Sequence, residues 1–360
     1  MAYDFSFYKG KRILVTGHTS FKGVWLCEML SSFGAEVTGY SYGVPTTPSL
    51  YELCGTKERV HSFFGDIRDA ENLNSVFGKT NPEVVFHLAA QPIVRESYIN
   101  PVKTYEINVM GTVNTLECVR NSDSVKSFLN VTTDKVYHNR EWCWGYRETD
   151  ELDGFDPYSN SKSCSELVTH CYKNSFFESR SIAISTARAG NVIGGGDFGK
   201  DRIIPDCVRA TVNNEPIVVR NPFSIRPYQH VLEAVSVYLM IAAEQYKDKK
   251  YQGYYNIGPD ECSCYRTGDL VDLFLKHWGS STHWINQYDG GPHEANYLKL
   301  DCSKLKTTFG WRPVWNLDEA VKRVVEWSKC WNQGEDVYKC LLNQVNDFIF
   351  LQDAHGSFCC

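Results

Sequence analysis

Lys11-Arg-Ile-Leu-Val-Thr-Gly17 is a short apolar run that stops on a glycine. His18-Thr-Ser20-Phe21-Lys22-Gly23 then leads into an apolar helical pattern at Val24, Trp25, Leu26, Met29 and Leu30. Strand, glycine turn and helix in this order restrict the fold more than any other part of the chain. Gly17 permits a tight turn, and Gly23 permits close approach of helix and strand. The helix N-terminus then presents free N–H groups and the positive end of its dipole, which suits a pyrophosphate. An ordinary βα turn can use the same residues, so the reading depends on the rest of the chain.

Beyond this turn the chain alternates regularly. Strand-like runs at 12–16, 36–40, 60–64, 83–88, 127–132 and 181–187 are separated by helix-like runs around 23–33, 70–78, 102–120 and 158–177. That order predicts an α/β fold with a parallel, doubly wound Rossmann sheet. Past about residue 188 the chain becomes rich in Gly, Pro and Asn, as in Gly190-Asn-Val-Ile-Gly-Gly-Gly-Asp197, and then resumes as mixed helices and short strands. The expected division is a nucleotide-binding domain at 1–187, a smaller and mostly substrate-covering lobe at 188–335, and a C-terminal tail at 336–360. Segments near 232–259 are expected to return to the first domain.

With 360 residues, 42% of them hydrophobic, the chain can fill two packed lobes. A net charge of -6 without a basic stripe argues against a nucleic-acid partner. No apolar run reaches membrane-spanning length, and Met1-Ala-Tyr-Asp-Phe-Ser-Phe-Tyr-Lys9 has no apolar core of a signal peptide, so a cytoplasmic protein is expected. Fourteen scattered cysteines fit reduced thiols better than disulfides. Cys262-Ser-Cys264 and Cys359-Cys360 lack a second pair or histidines at zinc spacing, so no metal is expected.

Asp156-Pro157-Tyr158-Ser-Asn-Ser-Lys162 sets a phenol and a lysine four residues apart at the start of a helix-like run. At that spacing both side chains share one helix face. The ammonium is expected to favour the phenolate and to lower the tyrosine pKa, making a proton-transfer pair. With Gly17, Gly23, Tyr158 and Lys162 in this order, the chain resembles the extended short-chain dehydrogenases/reductases. Gly65-Asp66-Ile67-Arg68-Asp69 resembles that family's adenine-contacting turn, and His87-Leu88-Ala89-Ala90-Gln91 resembles the strand end beside the cofactor. Arg188-Ala-Gly-Asn191 resembles the loop that meets a nucleotide diphosphate. Longer motifs narrow the resemblance to the CDP-glucose 4,6-dehydratases, from about residue 8 to 335. They are Thr133-Asp134-Lys135-Val-Tyr137, Glu141-Trp-Cys-Trp-Gly-Tyr-Arg147-Glu148, Gly194-Gly-Gly-Asp197, Asp201-Arg202, Arg226-Pro-Tyr-Gln-His230 and His293-Glu-Ala295.

The resemblance implies NAD as cofactor, CDP-glucose as substrate and a homodimer built on the helices 102–120 and 158–177. The glycine turn (Gly17, His18, Ser20, Phe21, Lys22, Gly23), Ser41, Asp66, Ile67, Leu88, Ala89 and Ala90 would meet the cofactor, together with Tyr158 and Lys162. Gln91, Asn191, Arg202, Arg226 and His230 would meet the substrate. Tyr158 would take the sugar 4-hydroxyl proton as hydride leaves C4, with Thr133 aligning that hydroxyl. Asp134 would protonate the departing C6 hydroxyl. Lys135 would either remove the C5 proton or orient the substrate and stabilise the enolate. A 4-epimerase would share Tyr158 and Lys162 but needs no elimination acid, and Asp134-Lys135 argues against it. A regulator without catalysis would lack the tyrosine or the lysine. Two departures stand out. Ser20 replaces a usual glycine and is strained if its φ is positive. Tyr40-Ser41-Tyr42 ends the second strand without the acid that usually holds an NAD ribose, so NAD rests on the resemblance.

Overall fold

The computed structural model describes residues 4–288, 290–291 and 295–357. The central sheet has seven strands: β1 (Arg12–Thr16), β2 (Glu36–Ser41), β3 (His61–Phe64), β4 (Val84–His87), β5 (Ser127–Val131), β6 (Ala183–Ala189) and β7 (Tyr254–Ile257). Their spatial order is β7-β6-β5-β4-β1-β2-β3, and every neighbouring pair is parallel. The winding reverses between β1 and β4. Connections leave these strands to opposite sides and open a crevice at their C-terminal ends.

The helices that cover the sheet and build the second lobe are α1 (Phe21–Ser32), α2 (Ala70–Thr80), α3 (Gly111–Arg120), α4 (Pro157–Tyr172), α5 (Ile203–Val212), α6 (Val231–Lys247), α7 (Thr267–Trp278), α8 (Leu317–Asn332) and α9 (Val337–Ser357). Ile13 and Val15 of β1 pack with Trp25, Leu26 and Leu239 from α1 and α6. Leu14, between them, packs with Val76, Leu116 and Phe128 on the other side. Burial on both faces explains why the strand is apolar without alternation. A separate buried cluster joins Ile204 and Cys207 of α5, Leu270 and Phe274 of α7, and Val321 and Val324 of α8.

Tyr254–Ile257 returns to the first layer and becomes the edge strand β7 beside β6. Two segments differ from expectation. The run 102–120 is a short helical turn at Pro101–Tyr105, a π turn at Glu106–Met110 and then α3. The π turn presents Asn108, which accepts from Gln91 N at 2.8 Å and donates to Ser161 Oγ at 2.9 Å. The segment after 336, expected as a C-terminal tail, is helical. It forms α9, whose Leu341, Val345 and Phe348 recur on one helix face and are buried in the main core. No helix among the described residues is long and apolar enough to cross a membrane.

Candidate active site

Helix α4 begins at Pro157 because Asp156 caps it. Its Oδ1 accepts from Ser159 N at 2.9 Å and its Oδ2 from Ser159 Oγ at 2.5 Å. The cap puts Tyr158 in the first turn, at the wall of a cavity of about 330 Å³. Lys162 lies one turn on, buried, with Nζ donating to Val131 O at 3.3 Å. Burial pushes the Tyr158 phenol up to about 12; a hydrogen bond with Thr133 and the Arg202 charge pull it down, and Asp134 pushes it up. The expected net lowering by the lysine is corrected: desolvation outweighs the groups that favour the phenolate. Burial also pulls Lys162 down to about 7, helped by the Lys22 charge and opposed by Glu166.

The end of β5 carries the second group. Thr133 caps a tight turn at Asp134–Val136. The buried Asp134 accepts from Thr133 Oγ1 at 3.0 Å and faces Lys135 Nζ at 3.5 Å, both through Oδ1. Its Oδ2 is buried without a hydrogen-bond partner. Buried polar atoms are rarely left so, and this one belongs to a residue that lines the cavity. One carboxylate oxygen is fixed and the other remains available to a hydroxyl.

Asn191, Arg202 and Arg226 line the far wall. Asn191 Oδ1 is buried and unpartnered, and Arg202 Nη1 lies 3.0 and 2.9 Å from the Asp197 oxygens. Arg226 is held by the carbonyls of Ile225 and Ala295. Arg95 and Arg220 join this wall although neither belongs to a motif recognised in the sequence. Both reach Asp201 Oδ1, at 3.8 and 2.9 Å. The signal for Arg220 was an arginine directly after a short apolar run, Ile217-Val-Val219.

The glycine turn fits a dinucleotide. Gly17 has φ +77°, and a Cβ there would lie 2.8 Å from Ala89 N, so the turn abuts Leu88 and Ala89. A Cβ on Gly23 would lie 2.2 Å from Gly17 O. Phe21 and Lys22 line the cavity at the start of α1. Burial and the Arg202 charge pull Lys22 down to about 8. Lys22 and Lys162 disfavour each other's charge, and an anionic group between helix start and α4 relieves that repulsion. Ser20 has φ −73° and ψ 163°, ordinary extended backbone, so the expected strain is absent. Its Oγ accepts from Gly23 N at 3.2 Å and donates to Gly17 O at 2.7 Å.

A family model described as GDP-mannose 4,6 dehydratase matches residues 14–324. A CDP-glucose 4,6-dehydratase of Salmonella typhimurium is 47% identical over 96% of this chain and 98% of its own length. The chain belongs to this 4,6-dehydratase family. A probable dTDP-glucose 4,6-dehydratase of Sinorhizobium fredii is 27% identical, over 88% of this chain and 92% of its own. A UDP-glucose 4-epimerase from Thermotoga maritima, solved with UDP-glucose, shares the fold at TM-score 0.75 and 22% identity, covering 88% of this chain and 98% of that one. So does a dTDP-glucose 4,6-dehydratase from Bacillus anthracis in complex with NAD, at TM-score 0.74 and 19% identity, covering 91% and 99%.

In this dehydratase several expected contacts sit away from the cavity. His230 is fully buried between Trp25 and Trp315; its Nδ1 accepts from Leu232 N and caps α6. Its placement beside the substrate is corrected: the helix cap turns the ring into the core. Gln91 spends its amide on Thr104 Oγ1 and its oxygen on Ile93 N, so it holds the loop and lines no part of the cavity. His18 points into the sheet. A Cβ on Gly39 would lie 2.1 Å from the ring, whose nitrogens meet Ser41 Oγ at 2.8 Å and Ser62 Oγ at 3.0 Å. Ser41 thereby orients His18. Asp66 is gripped by Arg68 at 2.8 Å, and Ile67 is buried against Gly111. Ala90 is half-buried in the loop after β4. His293 and Glu294 of the last motif lie outside the described residues.

Proposed function

We propose that this chain converts CDP-glucose to the 4-keto-6-deoxy sugar nucleotide with loss of water, using NAD. Asp134 carries the reading: a buried carboxyl group with one open oxygen, tied through Thr133 to the redox tyrosine. Tyr158 accepts the proton of the sugar 4-hydroxyl, and Thr133 aligns that hydroxyl. Bound NAD supplies the hydride acceptor at the start of the cycle and the donor at its end. The 4-keto group acidifies C5–H. Lys135 stands beside Asp134 either to remove that proton as a neutral amine or, as a cation, to stabilise the enolate while another base takes the proton. Asp134, in its protonated form, gives its proton to the C6 hydroxyl, which leaves as water; hydride then returns to C6 and the C5 base returns a proton to C5. Arg202, Arg226 and Asn191 suit the diphosphate, since guanidinium forks match phosphate oxygens.

The division at 188 and 335 is part of the same proposal, the second buried cluster forming the lobe that closes the nucleotide sugar against the sheet. A homodimer is supported by Ile99, Val102, Met110, Leu167 and Phe176, large apolar side chains exposed around α3 and α4. Light scattering of the purified protein tests it. The free cysteines favour a reducing compartment, the cytoplasm.

The reaction is tested by incubating the protein with CDP-, dTDP- or UDP-glucose, with and without added NAD. The expected result is a 4-keto product lighter by one water, formed fastest from CDP-glucose. A 4-epimer of unchanged mass would overturn the reading in favour of an epimerase.

A further inference from the structure

Below the catalytic strand ends lies a buried carboxylate that the proposed cycle does not use. Glu166 stands one turn beyond Lys162 and two beyond Tyr158, on the same stripe of α4. It is 1% exposed. Its Oε1 accepts from Thr132 Oγ1 at 2.5 Å, and its Oε2 accepts from Thr186 Oγ1 at 2.7 Å and from Arg188 Nη2 at 2.9 Å. Thr132 directly precedes Thr133 and Asp134. Thr186 and Arg188 belong to β6, which leads to Asn191. Arg188 passes the connection on, donating to Tyr137 OH at 2.8 Å, and Tyr137 donates to Asn256 of β7 at 2.6 Å. One side chain therefore joins the redox helix, the strand end of the acid and the strand that reaches the diphosphate wall.

We propose that Glu166 is a positioning residue that locks the Thr133–Asp134 strand end to the helix of Tyr158 and Lys162 and keeps Lys162 charged. The inference rests on the proposed dehydratase cycle and adds to it that a cationic Lys162, one helix turn from Tyr158, favours the phenolate as it forms. A neutral hydrogen-bonding residue could tie the elements together equally well; a buried charge does more. Lys162 faces Lys22 from α1 and His87 from β4, and Tyr158 and Glu166 from its own helix; Arg188 of β6 lies beyond, paired with Glu166. Lys22 repels the lysine charge, and His87 is held neutral by burial. Glu166 is the group that favours the charge, against desolvation that has already brought Lys162 to about 7.

The test is Glu166→Gln, which keeps the shape and removes the charge. Lys162 is titrated directly by NMR of protein labelled on lysine side chains, with the resonance assigned by Lys162→Met. The inference expects the Lys162 titration to move down by about one pH unit. The alkaline limb of kcat for CDP-glucose should move down with it, because the required cation is lost earlier. A role confined to packing would lower the rate equally at every pH and leave the titration in place, and that result would overturn the inference. Thr132→Val removes only the tether hydroxyl and every charge stays, so it carries the test if Glu166→Gln does not fold. Water loss should slow about tenfold more than C4 oxidation, with KM little changed, so bound NADH builds up in a single turnover. Equal rates in Thr132→Val and wild type would remove the tether. Failure of wild type to dehydrate any NDP-glucose would instead sink the functional reading, and the NMR titration would still report on Glu166.

Discussion

Tyr158 contributes a single hydroxyl to the proposed chemistry, and the rest of its ring is wall. Tyr158→Phe should lower turnover by about 10²–10⁴-fold while calorimetric binding of CDP-glucose stays nearly unchanged. Near-normal turnover would exclude the phenol as the redox base. Asp134→Asn separates the later step. The amide keeps the shape and the Thr133 contact but has no carboxylic proton to give. Hydride transfer from C4 should persist, water loss should slow by about 10² or more, and the 4-keto-glucose nucleotide should accumulate with bound NADH. Absorbance of NADH in one turnover, with mass analysis of the sugar, reads both steps. Unchanged water loss would move the acid role to another group. Tyr158 and Lys162 were legible in the sequence because their spacing fixes a helix face, and Asp134 because Thr133-Asp134-Lys135 carries the family resemblance. His230 was not. It stands close after Arg226 in one motif, but helix α6 starts at that point, and capping its first turn swings the imidazole away from the arginine.

At the scale of elements, the first turn of α1 shows how a local departure is absorbed. Ser20 stands at the N-cap in extended backbone and ties Gly17 O to Gly23 N. Ser20→Gly should therefore leave NAD affinity equal or weaker and lower stability by only a few tenths of a kcal/mol, while Ser20→Ala should cost about 1 kcal/mol. Denaturant unfolding and calorimetric titration of both variants check this. Tighter NAD binding by Ser20→Gly would contradict the capping geometry. The strands and α1 could be read from the chain because their periods are local. The interruption of 102–120 could not. Its π turn is held by Asn108 reaching Gln91 and Ser161, partners 17 and 53 residues away. Helix α9 was missed as well, since its apolar face becomes meaningful only against a core assembled from distant segments.

For the whole molecule, buried histidines set the acid limit. Burial holds His87 and His230 at about 3 in the folded chain, against an ordinary value of 6.5. Between those values the unfolded chain binds more protons, so stability is lost as pH falls from 6.5 towards 3. Each histidine contributes a slope of about 1.4 kcal/mol per pH unit. Glu233, raised to about 8 by burial, acts in the opposite sense between 4.5 and 8. The decline is expected to steepen below about 4.5, where that opposition ends. His230→Asn keeps a cap acceptor and should flatten the slope by one proton, measured by denaturant unfolding at several pH values. An unchanged slope would mean that His230 charges freely in the folded protein.

Strand β7 has a different consequence. The chain leaves the sheet after β6, builds part of the smaller core with α5, returns through α6 and β7, leaves again for α7 and α8, and comes back with α9. The two cores are threaded through each other, and no single cut yields two complete pieces. A recombinant exchange of the part built around α5, α7 and α8 with that of a relative would need several matched crossovers. Point changes on the cavity wall, where Arg95 and Arg220 stand, leave that threading intact, whereas exchanging modules breaks it.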